Sequence, residues 1–383
     1  MSDDSLRSEL RAYARRRGAV SMRFTHAGPE VGTQERLVES FARGDLATWG
    51  YGPRYAHAAA TPQAILAGAR SVVCVAVPFA TPEVAHAPLT GRVSNYAWST
   101  DYHRRMKTLL RELAAIIEAV AGAGSTAIVC DTAPLAERAF AARAGLAWVG
   151  KHTNAIHPDF GSFVFLGEIV TTAKLAPDPP LRKTCGSCSR CVDVCPTGAL
   201  RGDYTIDATR CISDLTQRTG SIPRALRPLI GSWVWGCDLC QLVCPPTQKA
   251  GFRAGPENSA ISQDVGAPSL VRLLRLRSGE FRRLFARTAM GWRGAAVLRR
   301  NAAVALGNAL DRATVPALAQ ALEDDPHAMV RVHVAWALGR IASPGALSFL
   351  QNRLERESDR EVREEIVSAL EPFGASRALQ QVI

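Results

Sequence analysis

Nowhere in these 383 residues is there a run of roughly 18 uncharged apolar side chains, the least that reads as a membrane-spanning helix. The best apolar stretch, Ser71 to Ala80, is the length of one buried strand. The N-terminus lacks the apolar core of a secretory leader and carries Asp3, Asp4, Arg7 and Glu9, so the expected location is cytoplasmic, with no membrane partner. No GxGxxG follows a strand-like run and no P-loop occurs, which leaves a dinucleotide or nucleoside triphosphate without a cradle. With 47% hydrophobic and 21% charged residues, the chain is neither disordered nor collagenous. Its length calls for two or three domains.

The formal charge is +11 although only five lysines are present. Arginine carries the excess, and it is concentrated. Arg272, Arg275, Arg277, Arg282, Arg283, Arg287, Arg293, Arg299 and Arg300 stand against the single acid Glu280. Such a stripe reads as a polyanion-binding face, the alternative being a solvated basic surface.

Hydrophobic periodicity places a helix over 5–17, a strand over Val72–Phe79 and an amphipathic helix from Asp101 to about Ala121. A short strand at Ala127–Cys130 is followed by a helix opened by Pro134, and Phe163–Thr171 is again strand-like. Alternation of this kind implies an α/β layer with functional residues on the loops after strands. The C-terminal part differs. Leu298-Arg299, Val330-Arg331 and Val362-Arg363 recur every 32 residues, as does Leu306-Gly307 at Leu338-Gly339, the mark of stacked HEAT-type helical pairs.

Of ten cysteines, Cys74 and Cys130 stand alone in apolar runs and read as core residues. The other eight are Cys185, Cys188, Cys191 and Cys195 before Pro196, then Cys211, then Cys237, Cys240 and Cys244 before Pro245. Disulfides are disfavoured in a chain read as cytoplasmic, and zinc prefers separated pairs or histidine, of which this segment has none. Iron–sulfur ligation fits best. In the bacterial ferredoxin pattern three cysteines hold one [4Fe–4S] cluster and the one before proline crosses to the other. Applied here, Cys185, Cys188, Cys191 and Cys244 bind one cluster, and Cys195, Cys211, Cys237 and Cys240 bind the second. Two clusters in series deliver single electrons, so the upstream domain is expected to hold the acceptor.

In that domain Asp131 ends an apolar strand. It has two readings: a helix N-cap, or a carboxyl whose apolar neighbours raise its pKa so that it donates a proton. Asp101 and His103 begin a corrinoid Asp-x-His-x-x-Gly motif but lack the glycine, which reads as coincidence in a helix's first turn, capped by Asp101.

The run Asp131-Thr-Ala-Pro134-Leu-Ala-Glu137-Arg138, then Ala144-Gly-Leu-Ala-Trp148-Val-Gly150-Lys151, resembles the epoxyqueuosine reductases. So do Tyr96-Ala-Trp98, Asp101-Tyr102-His103, Cys185-Gly-Ser-Cys188, Cys195-Pro-Thr197 and Gly236-Cys-Asp238-Leu-Cys240-Gln241. The motifs fall in order over residues 50–250, and the family also carries HEAT-like repeats. The resemblance implies three parts: an α/β cobalamin-binding catalytic domain over 1–175, a ferredoxin-type two-cluster domain over 176–250, and an all-α basic and HEAT-like segment over 251–383.

It implies reduction of epoxyqueuosine to queuosine at the wobble position of tRNA. Two [4Fe–4S] clusters would feed a base-off cobalamin without a protein histidine ligand. Asp131 becomes the proton donor to the departing oxygen. Arg54, Tyr96, Asp131, Arg138, Asn154, Ser213 and Asp238 become cobalamin contacts, and Gln217, Arg218 and Thr219 approach the substrate. Lys151 and Arg218 would add charge near the site. Arg272, Arg275, Arg282 and Arg283 would bind the anticodon stem-loop. A monomer supplied by an external low-potential electron donor is expected.

The departures from the family pattern are Asn95, His152 and Pro246-Thr247. Two other readings stay open: a reductive dehalogenase-like enzyme for a small molecule, and an electron-transfer protein whose repeats dock a partner.

Overall fold

The computed structural model describes residues 2–82, 85–251 and 263–373. These pack as two compact units, neither contiguous in sequence. One comprises residues 2–82, 101–211 and 238–251; the other comprises residues 85–100, 212–237 and 263–373.

The first unit is built on a four-stranded sheet. Its strands are β1 (Ser21–His26), β2 (Ser71–Pro78), β3 (Thr126–Val129) and β4 (Val164–Thr171), in the order β1-β2-β4-β3. Every pairing is antiparallel. The layer of helix and strand expected from the alternation is therefore present, but without parallel crossovers, and β1 is an added edge.

Strand β2 is buried along its whole length because both faces are covered. Val73, Val75 and Val77 point into a core with Leu6 and Leu10 of α1 (Asp3–Arg16) and Met106, Leu110, Leu113 and Ile117 of α2 (Tyr102–Ala121). Val72, Cys74 and Ala76 point the other way, toward Phe140 and Ala141 of α3 (Glu137–Arg143). Period-two alternation sorts the side chains between the two faces. Cys74 and Cys130 are buried in these cores, as their surroundings predict.

In the second unit the expected repeats are helices α4 (Ala295–Ala309), α5 (Val315–Asp324), α6 (Ala328–Ile341), α7 (Pro344–Leu354) and α8 (Arg360–Leu370). The 32-residue spacing has a packing cause. A Cβ on Gly307 would lie 2.9 Å from Ala337 Cα, and one on Gly339 would lie 2.6 Å from Ala369 Cβ, so each glycine lets the next repeat's helix approach. The recurring arginine is also structural. Arg299 pairs with Asp325 at 2.6 Å, and Arg331 pairs with Glu357 at 3.1 Å, one repeat on.

That geometry corrects the arginine stripe. Arg299 and Arg300 are buried and present nothing to a polyanion. Arg300 instead donates to the carbonyls of Leu215, Arg218 and Gly220, at 2.7–2.8 Å. Asn301 beside it donates to Thr216 and Val234, 2.7 Å each. Helix α4 thereby shapes segment 212–237 of its own unit. Arg272, Arg275, Arg277, Arg282, Arg283 and Arg287 remain exposed.

Candidate active site

Strand β3 ends at Val129, and the chain then turns sharply through residues 130–136 before α3 begins at Glu137. Pro134 therefore does not start the helix, and Asp131 does not cap it. Asp131 adopts φ of +60°, uncommon for a non-glycine residue although aspartate tolerates it better than most.

Two contacts hold it there. The Asp131 amide donates to Glu137 Oε1 at 2.8 Å, and its carboxylate Oδ2 accepts from His103 Nε2 at 3.1 Å. His103 sits in the first turn of α2, where Asp101 is the N-cap; Asp101 Oδ1 takes both the His103 amide at 3.1 Å and Nδ1 at 2.6 Å. His103 thus contacts Asp131, while the corrinoid-type spacing around it still lacks its glycine. A histidine following a capping aspartate by two, with a second carboxyl at a strand end, was the available signal.

The charges follow from this geometry. The hydrogen bond with Asp131 is the main cause lifting the His103 pKa above its ordinary 6.5, against the opposing effect of burial. The same bond is the first cause that lowers Asp131 below the ordinary carboxylate value. The expectation of a raised carboxyl pKa at Asp131 is therefore corrected. Both shifts favour a proton on the imidazole, between two carboxylates. Both ring nitrogens of His103 are engaged, so it has none left to sit beneath a metal.

Arg138 lies one residue beyond Glu137, surrounded by protein although solvent reaches it. Desolvation lowers its pKa, opposed by the Glu137 and Asp131 charges. Its Nη1 donates to the Thr153 carbonyl at 2.6 Å, tying α3 to the 150–154 loop that carries Asn154. His152 in that loop is buried, and desolvation pushes its pKa down to about 4, so it is neutral. Arg54, on the helix Pro53–Ala60, is exposed and forms none of these contacts.

In the second unit a chain of hydrogen bonds joins three predicted residues. Trp235 Nε1 donates to the Tyr96 hydroxyl at 2.9 Å, Tyr96 to Gln217 Oε1 at 3.2 Å, and Gln217 Nε2 to Ser213 Oγ at 3.1 Å. Arg218 turns toward Asp214 at 3.5 Å, and its own carbonyl is held by Arg300. Asp238 is buried in the first unit, where its Oδ1 accepts from Gln241.

None of the eight clustered cysteines is joined in a disulfide, so each can lose its proton and serve a cluster as a thiolate. Cys191 feels the charges of Cys185 and Cys188, and Cys244 those of Cys185 and Cys191. The fold therefore gathers the four thiols that the crossing rule assigns to the first cluster. Helices Arg190–Asp193 and Leu239–Leu242 pack together to do this. Lys151 contributes its amide to Cys185 Sγ at 3.4 Å and its ammonium to the Gly186 carbonyl at 2.9 Å, so it braces the cluster loop. Thr247, one of the departures from the family pattern, hydrogen-bonds Cys244 and accepts from the Ser162 amide at 3.0 Å. Among the described residues no three His, Cys, Asp or Glu side chains converge on one point as a single-ion cage. A cubane spreads its thiolates over separate corners.

Comparison with known proteins agrees in each region. Residues 184–247 match the 4Fe-4S double cluster binding domain, residues 293–371 match HEAT repeats, and residues 60–132 match the family described as Epoxyqueuosine reductase QueG, DUF1730. The epoxyqueuosine reductase of Bacillus anthracis is 33% identical over 97% of this chain and 98% of its own. That of Xanthomonas campestris is 36% identical over 87% and 95%. Among solved structures, an epoxyqueuosine reductase bound to an epoxyqueuosine-modified tRNA-Tyr stem loop superposes with a TM-score of 0.92, at 32% identity over 98% of this chain and all of the other. A Bacillus subtilis epoxyqueuosine reductase with its catalytic aspartate loop swung out of the active site gives 0.90, at 31% identity over 97% and 99%. Similarity of this extent leaves no separate module to explain: the chain belongs to the epoxyqueuosine reductase family.

Proposed function

We propose that this protein reduces epoxyqueuosine in the anticodon loop of tRNA to queuosine. The oxygen leaves as water and a cyclopentene remains, so each turnover consumes two electrons and two protons. The observation that carries the reading is the Asp101–His103–Asp131 array at the end of β3, inside a chain related end to end to these reductases.

Cobalamin, when bound, supplies the two electrons to the carbon–oxygen bond. With both ring nitrogens of His103 occupied and His152 buried, the residues suit a base-off corrinoid without a histidine ligand. Arg54, Tyr96, Arg138, Asn154, Ser213 and Asp238 are the contacts that the family resemblance assigns to it. Cys185, Cys188, Cys191 and Cys244 would hold one [4Fe–4S] cluster, and Cys195, Cys211, Cys237 and Cys240 the other.

Asp131 is assigned as the proton donor to the departing oxygen, with a refinement from the geometry. Its carboxylate passes on a proton held at His103 Nε2, and Asp101 keeps the imidazole oriented. Gln217, Arg218 and Thr219 would meet the modified nucleotide on a segment braced by Arg300. An anaerobic absorbance titration with cobalamin separates this reading from a plain electron carrier, which would give no spectrum of bound corrinoid. Salt-sensitive binding of the tRNA stem-loop separates it from a small-molecule reductase.

The exposed arginines give a prediction of their own. Arg272 lies 2.7 Å from Glu280 and Arg283 3.9 Å, at exposed sites where such pairs are weak and exchange readily for phosphate. Replacing Arg272, Arg275, Arg282 and Arg283 with Gln should weaken tRNA binding. The salt slope should drop by about 0.7 to 0.9 for each phosphate no longer neutralised, with little dependence on base sequence. Reduction of the free modified nucleoside should not change. An unaltered slope would make this face merely solvated.

A further inference from the structure

One buried group has no part in the reaction described so far. Strand β4 carries Glu168 between Leu166 and Val170, on the face that packs toward α3. Its side chain is 0% exposed, and neither carboxyl oxygen meets a hydrogen-bond donor among the described residues. Its cross-strand neighbours are Cys74 on β2 and Val129 on β3.

The polar group within reach is another carboxyl, Glu137 of α3. Two carboxylates in contact in a core repel each other; two carboxyls sharing one proton attract. Burial raises both groups, Glu137 to about 7 and Glu168 well above the ordinary range. Arg138 and the Asp131 charge act on Glu137 from the solvent side, while Cys74 and Cys130 face Glu168 as thiols. Glu137 in turn holds the Asp131 amide at 2.8 Å, where the backbone has φ of +60°.

We propose that Glu168 carries a proton and donates it to Glu137, so that the pair latches the Asp131 loop in its working conformation from behind. Glu168 is then a positioning residue: it touches neither substrate nor cofactor and acts through the Glu137 carboxylate. Strand β4, apolar apart from Glu168 and its terminal Thr171, thereby places a glutamic acid where it fixes the Glu137 carboxylate that holds the Asp131 amide at positive φ. A buried carboxyl with no such task would be replaced at little cost by an apolar side chain of equal size.

The test compares Glu168→Gln, which keeps a donor toward Glu137, with Glu168→Met, which fills the space without one. Hydrogen exchange at residues 129–135 reads the latch directly. Turnover of a modified stem-loop reads its consequence, and that arm alone rests on the function proposed above. Glu168→Met should exchange the Asp131 amide faster by about tenfold, the scale of one hydrogen bond. It should lower kcat to a similar extent and leave tRNA affinity unchanged.

Glu168→Gln should keep wild-type protection and turnover, and should lose the infrared band of the buried carboxylic acid. Wild-type protection should weaken as pH rises beyond neutrality and the pair gives up its last proton; that of Glu168→Gln should not. Glu168→Met with wild-type exchange and turnover would overturn the latch. Should Glu168→Met fail to fold, identical pH dependence of loop exchange in wild type and Glu168→Gln would overturn it equally. Absence of turnover in the wild type would count against the proposed reaction, and the exchange measurement would still decide the latch.

Discussion

Asp131→Asn should turn over the modified stem-loop about 10²–10⁴-fold more slowly, the usual contribution of a positioned acid. An epoxide oxygen leaves poorly unless a proton reaches it as the bond breaks. Asparagine keeps the shape and a hydrogen bond to His103 but carries no acidic proton. Iron content and tRNA affinity should remain, because Asp131 holds neither.

The pH profile adds a second signature. His103 has its pKa raised, chiefly by Asp131, so the proton-loaded pair persists above the ordinary imidazole value of 6.5 and is lost as pH rises through the raised pKa. Wild-type turnover should therefore fall on the alkaline side. In Asp131→Asn the hydrogen bond to His103 loses its carboxylate charge, so it favours the protonated ring less, and the His103 titration seen by NMR should move to lower pH. Full activity in the variant would leave Asp131 with no more than a structural task.

The largest loss of cofactor should come from the cysteines. Anaerobically reconstituted protein should hold two cubanes, about eight irons. Cys188→Ala should deplete one cluster and Cys195→Ala the other, and paramagnetic resonance of the reduced variants should show different remaining signals. Both should abolish turnover, since electrons must pass through the pair in series. Loss of the same cluster in both variants would contradict the crossing assignment. Zinc in place of iron would contradict the clusters altogether.

Much of this was legible in the sequence because its signals were dense. Eight cysteines with ferredoxin spacing, and a 32-residue repeat of Leu-Gly and of Val/Leu-Arg, are patterns that few folds produce. Strands β2 and β4 stood out as apolar runs, and α2 by its periodicity.

What escaped depended on contacts distant in sequence. Arg299 and Arg300 read as part of a basic surface because residue type does not say which way a helix faces. Only the fold shows Arg300 turned inward onto the carbonyls of segment 215–220. His103 looked accidental because its second partner, Asp131, is 28 residues away. The lowered pKa of Asp131 follows from that partner, not from the apolar strand before it. Glu168 was hidden within an apolar run, where a single acid was itself the clue.

One reaction decides the assignment. Protein with both clusters reconstituted, cobalamin and a strong one-electron reductant should be incubated anaerobically with an epoxyqueuosine-bearing anticodon stem-loop. The RNA should then be digested and its nucleosides weighed by mass spectrometry. The epoxyqueuosine peak should be replaced by one lighter by a single oxygen, in reactions that contain cobalamin and not in those without it. A nucleoside of unchanged mass, from protein shown to carry its clusters and to bind the stem-loop, would contradict the assignment.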